Sequence, residues 1–175
     1  ILSFEYITVE AIIFFIFWSY QLYLDNIGIP LVFYGVIAGL MTVVQIIISF
    51  LIPKAKKRYR NKKLFIQIYT LIPAISFILL PLISFYPISI LLILTITGFG
   101  FSRNILFVKG INNQIETRNR ATLLNTINMT GTLLRSILYP FIGFLIDWNL
   151  NVTFIIFGII LIMLTLISRV KNEYL

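Results

Sequence analysis

The sequence contains no cysteine and no histidine. Those two absences exclude disulfides, thiolate nucleophiles, zinc sites of the usual kind and the Ser–His and Cys–His dyads of hydrolytic enzymes. Acidic residues are scarce, six against fourteen basic ones, and charges of both signs occupy only 11% of the 175 positions. No G-x-x-x-x-G-K-[ST], H-E-x-x-H or G-x-S-x-G run occurs, so neither an ATP-driven motor nor these hydrolytic sites are encoded. Ser102 and Lys109 share a helix face, but more than about 10 Å of helix separates them, too far for a Ser–Lys dyad. The chain reads as a non-enzyme that needs no cofactor and no metal.

What fills the space left by charge is apolar surface. Hydrophobic residues make up 59% of the chain and the mean hydropathy is +1.00, which points to the lipid bilayer as the solvent. A span needs roughly 20 apolar residues to cross about 30 Å of hydrocarbon. Six such runs are expected, near 2–24, 31–53, 64–84, 88–114, 121–146 and 152–168, giving an all-α, multi-pass membrane protein. Turn chemistry separates them: Asp25, Asn26, Gly28 and Pro30, then Pro87, then Asp147 and Asn149. Short connections of this kind make neighbouring helices antiparallel. The sequence opens on Ile1, already inside an apolar run and without a basic leader, so an upstream part is expected.

The basic residues are not scattered. "KAKKRYRNKK" carries Lys54, Lys56, Lys57, Arg58, Arg60, Lys62 and Lys63, and with "ETRNR" and "RVKNEYL" it puts eleven basic residues on one side of the membrane. The connections on the other side carry Asp25, Asp147 and no basic residue. Lys and Arg accumulate on the cytoplasmic side, so both chain ends are expected there, in the cell membrane. The basic decapeptide then sets orientation and meets anionic headgroups, at about 1 kcal/mol per residue. Pinned between two spans and outside any binding fold, it is not expected to contact nucleic acid.

Polar residues inside spans are costly, and here they are unevenly shared. The third and sixth spans hold no charge. The first holds Glu5, Glu10, Ser19 and Gln21; the fourth Arg103, Asn104, Lys109, Asn112 and Asn113; the fifth Asn125, Asn128, Thr132 and Arg135. The second is intermediate, with Thr42, Gln45 and Ser49. This period of three suggests a 3+3 repeat in which the first and fourth helices face a hydrated space. Glu10 and Arg103 lie about 12 and 16 Å from the cytoplasmic ends of their helices. Each charge alone would cost about 3 kcal/mol near the bilayer centre, so mutual pairing or access to water is expected. Two readings stand: an ion pair stitching two helices, or groups that handle a solute or protons. Glu5 and Lys109 lie close enough to the surface to snorkel. Asn128, Arg135 and Tyr139 continue a stripe on one face of helix five, and Glu10, Phe14, Phe17 and Gln21 align on helix one. Two polar-aromatic stripes converging on a cavity make a solute site. Gly35 and Gly39, a small-xxx-small pair, suit close helix packing.

The segment 118–147, with Arg120–Ala121 at its start and Pro140, Gly143 and Asp147 at its finish, resembles the eleventh span of the major facilitator superfamily and the cytoplasmic loop before it. The opening "FWSYQLYLDNIGIPLVFYGVIAGL" is similar to that family's seventh span, outer loop and eighth span. The basic loop resembles the second copy of its cytoplasmic motif, with Pro53, Lys57 and Arg60 standing where the motif would have Gly, Asp and Gly. The resemblance implies one C-terminal domain over 1–175, the second six-helix half of a twelve-helix transporter, lacking its N-terminal six-helix half. It implies alternating-access transport of a small solute between halves, ion- or proton-coupled and possible as efflux. Glu10, Phe14, Gln21, Arg103, Asn128 and Arg135 would line the path on this side, with Glu10 the candidate proton carrier. A non-transporting membrane scaffold is the alternative.

Overall fold

A computed structural model describes residues 2–58, 62–114 and 120–168. Among them the chain is helical, without a strand: α1 (Leu2–Phe14), α2 (Ile16–Asn26), α3 (Val32–Arg58), α4 (Lys62–Leu79) followed by a 3-10 turn at Leu80–Leu82, α5 (Tyr86–Ser102), α6 (Asn104–Gln114) and α7 (Arg120–Ile167). Five helical stretches are long and apolar enough to cross a membrane: Ser3–Asn26, Val32–Lys54, Lys62–Leu82, Tyr86–Asn113 and Arg120–Ile167. Helix is the form dictated by such runs, because in hydrocarbon every backbone N–H and C=O must be bonded within its own segment. Hydroxyls follow the same rule. Thr42, Thr70, Thr97, Thr132 and Thr165 each donate to the carbonyl four residues back.

The expected first and fourth spans are each two helices in near-continuous line. At Phe15 (φ −55°, ψ −34°) and Arg103 (φ −59°, ψ −26°) the backbone stays helical. The bonding tightens there, Trp18 N–H reaching Phe15 O and Leu106 N–H reaching Arg103 O. The expected fifth and sixth spans, 121–146 and 152–168, are instead one 48-residue stretch broken at Asn149, whose φ of −167° and ψ of 108° are extended. Asn149 Oδ1 accepts the Val152 N–H at 3.1 Å and so caps the second leg. Gly131 lies beside Ile7, while Ser168 donates to Glu5 at 2.7 Å. Residues on both sides of Asn149 thus return to the start of α1, and the chain reverses at that one residue. Polar punctuation at 147–151 forecast a connection; its shortness comes from the Asn149 cap, which leaves almost nothing outside helix.

The turn after α2 is closed by Gly28 at φ +79°, with Ile29 N–H on Leu24 O and Gly28 N–H on Asp25 O, a Schellman arrangement. Tyr23 ties α2 to the α4–α5 corner: its hydroxyl lies 2.7 Å from Leu80 O, 2.9 Å from Ile83 O and 3.1 Å from Ser89 Oγ.

Packing follows a crossed pattern. α3 lies on α5, where Gly98 admits Val44 and Ile48 and Ser102 bonds Ser49 Oγ and Gln45 O at 3.1 Å. The first leg of α7 lies on α1 through Gly131 and Arg135, and the second leg packs Phe154 and Phe157 on Phe15 and Phe77. Two apolar clusters result. One gathers Phe15, Tyr23, Phe77, Ile93 and Phe154 toward the end holding the Gly28 turn. The other gathers Tyr6, Ile52, Phe65, Tyr69 and Phe107 toward the end holding the basic segment. Between them, at the levels of Glu10, Thr70, Arg103 and Arg135, runs a polar belt. Helix α4 is packed in: half of its span is buried, against 22% for α3.

Candidate functional site

Glu10 organises one side of the belt. Its Oε2 lies 3.3 Å from Arg135 Nη1, its Oε1 accepts from Asn104 Nδ2 at 3.3 Å, and both members of the ion pair are 18% exposed. The Arg135 guanidinium also sits 5.4 Å above the Phe14 ring and donates to Thr132 Oγ1. One carboxylate therefore joins α1, α6 and the first leg of α7. Phe14 continues the site as an aromatic wall, edge-on to Phe101, against Phe17 and stacked with Tyr139.

Arg103 organises the other side, and it does not pair with Glu10. Its side chain is 1% exposed and donates to Thr70 Oγ1 at 3.0 Å, with the guanidinium 4.6 Å from the Phe107 centroid. Its Nη2 stands 3.9 Å from Glu5 Oε1, and neither Nη2 nor Nε has a hydrogen-bond partner among the described residues. The expected Glu10–Arg103 pair is thus replaced by two pairs, Glu10–Arg135 and Glu5–Arg103. Glu5 does not snorkel; at 12% exposure it is held by Arg103 and Ser168 inside the bundle. The reason is rotation. Arg103 and Asn104 are adjacent in sequence and about 100° apart around the helix, so one turns to α4 and the other to Glu10.

A cleft of about 820 Å³ opens over this region, lined by Glu10, Phe14 and Phe17 from the first span, Gln45 and Ser49 from α3, and Phe101, Asn104, Lys109 and Asn112 from the fourth. A smaller hollow of about 330 Å³ holds Phe14, Phe17, Trp18 and Gln21. Glu10 and Phe14 stand on the large cleft, Gln21 in the smaller hollow, and Arg135 reaches Glu10 beside them. Asn128 lies apart, on an exposed face with Asn125, Thr132 and Ser136 along a shallow depression. Arg103 lies inside the bundle. Sequence reasoning passed over Asn104, Gln45 and Ser49 as cleft residues, and placed Lys109 at the surface rather than on the wall. Their common level, one to two turns from Glu10 or Arg103, was the available signal.

Of the basic segment, Lys54 is exposed at the end of α3, and Lys62 and Lys63 are half-buried at the start of α4. The side chains of Lys56, Lys57 and Arg58, and Arg60 altogether, lie outside the described residues, as do Arg118 and the tail from Arg169.

No family model, curated protein or solved structure matches this chain.

Proposed function

We propose that this chain is a six-crossing half of an alternating-access secondary transporter of the major facilitator kind, and that it moves a small solute through the cleft over Glu10. The observation that carries the reading is the cleft itself: about 820 Å³ lined by a carboxylate, an ammonium group, amides and three phenylalanines at the level of the polar belt. In this reading the two legs of α7 cross separately, since 48 residues would span about 72 Å as one helix, more than twice the hydrocarbon thickness. The crossed packing, α3 on α5 and the first leg of α7 on α1, supports a 3+3 repeat. The basic segment lies at the cytoplasmic side with both ends of the chain, in the cell membrane. A second six-helix bundle covers the exposed faces of α3 and α7, whose Asn125, Asn128, Thr130 and Thr132 are poor company for acyl chains. Glu10 is the proton carrier.

This chain carries no cysteine, so an introduced one is the only thiol within its 175 residues. Asn104→Cys, on the cleft wall, is expected to react with a membrane-impermeant thiol reagent, whereas Ile93→Cys, fully buried, stays unlabelled. Glu10→Gln is expected to abolish gradient-driven transport while solute exchange persists. An unreactive Asn104→Cys would favour a membrane scaffold with a dry interior.

A further inference from the structure

The charge balance of the cleft selects its ligand. Its wall carries one acid and one base among the described residues, Glu10 and Lys109. The acid is already answered: Arg135 holds Glu10 at 3.3 Å and Asn104 donates to its second oxygen. The base is not, for Lys109 is exposed and makes no salt bridge among the described residues. Beside it, one turn on, Asn112 adds an amide side chain to the same wall. The rest of the wall is apolar and aromatic: Phe14, Phe17, Phe101 and Val108. Phe101 and Lys109 are eight residues apart on the same helical run, about 12 Å along its axis.

From this we infer that the cleft binds an amphipathic organic anion, its acid group on the Lys109 ammonium and its apolar body against Phe101, Phe14 and Phe17. The inference rests on the transport reading for the ligand's passage but not for its binding. A cation would have to displace the Arg135 guanidinium from Glu10 and would meet Lys109 uncompensated. An anion answers the Lys109 charge, which is open among the described residues, and shares a charge-assisted hydrogen bond with it, and the ring wall removes the apolar body from water.

Three probes with one body separate the possibilities: pyrenebutyrate, its neutral amide and pyrenebutylammonium, each titrated onto the full-length protein in lipid nanodiscs against empty nanodiscs. Saturable binding is expected to favour the carboxylate by about tenfold or more over the other two. Lys109→Gln, at an exposed position that leaves folding intact, removes that preference, and Lys109→Glu transfers it to the ammonium form. Phe101→Leu weakens all three alike. Equal binding of the three probes to the unaltered protein, or a carboxylate preference indifferent to both Lys109 variants, overturns the assignment. Lys109-dependent binding without any passage of solute sinks transport and leaves the site standing. Transport of another solute, unaffected by either Lys109 variant, does the reverse.

Discussion

At the scale of single residues, the Glu5–Arg103 pair is the most demanding feature of the bundle. Arg103 is among the largest fully buried side chains, and its charge is met by one carboxylate at 3.9 Å, one hydroxyl and one ring face. Removing one partner of a buried pair strands the other and costs about 3–5 kcal/mol, whereas replacing both by apolar groups of similar volume is often neutral. Glu5→Gln is therefore expected to lower stability by an amount in that range, measured by denaturant titration in detergent. Glu5→Gln combined with Arg103→Met is expected to recover most of the loss. If the single variant is as stable as the parent, Arg103 is held by Thr70 and Phe107 alone. None of this pairing was legible in the sequence. Residue spacing gave the depth of Glu5, Glu10, Arg103 and Arg135, but depth is shared by several partners, and the rotation of one helix against another decides among them. Thr70 was hidden for the same reason, as an ordinary threonine on a helix that carries no charge in its apolar run.

At the scale of elements, the apolar runs and the Gly, Pro, Asn and Asp between them made the helices legible to within a few residues. α3 and α5 begin within two residues of their expected starts, because Pro30 and Pro87 fix them. The break at Asn149 was legible as a turn but not as a single residue, since an N-cap can end a loop of any length. Glycines were harder still. Gly35 and Gly39 looked like a packing seam, yet a methyl group on either would meet nothing within 4 Å in this chain. Gly158, which no motif singled out, is the tight one: a Cβ there would stand 2.7 Å from the Ala74 carbonyl oxygen and would also strike Ile78. Side chains can turn away and backbone cannot. Gly158→Ala is expected to destabilise the bundle by about 1–3 kcal/mol, read as a lower melting temperature in detergent. Gly35→Leu is expected to leave that temperature unchanged and, with the proposed second bundle expressed as a separate chain, to reduce its co-purification. A melting temperature lowered by Gly35→Leu would place α3 against its own neighbours instead.

At the scale of the whole molecule, the asymmetry of basic residues between the two sets of connections is expected to decide how the chain sits in a membrane. Eleven of its fourteen basic residues fall in the connections expected on one side of the membrane and in the tail, and the other three, Arg103, Lys109 and Arg135, lie within helices. A unique cysteine at Asp147, exposed near the Asn149 break, is expected to react with an impermeant reagent on intact cells. One at Lys54, exposed at the far end of α3, is expected to react only after permeabilisation. The opposite result would invert the orientation and make the basic decapeptide an outer-surface feature.

The Tyr23 phenol touches two carbonyls and a serine hydroxyl from three stretches of chain. Prying that corner open would break all three contacts together. The corner consequently acts as a bolt, one phenol fastening α2, the Leu80–Leu82 turn and the start of α5 into a single piece.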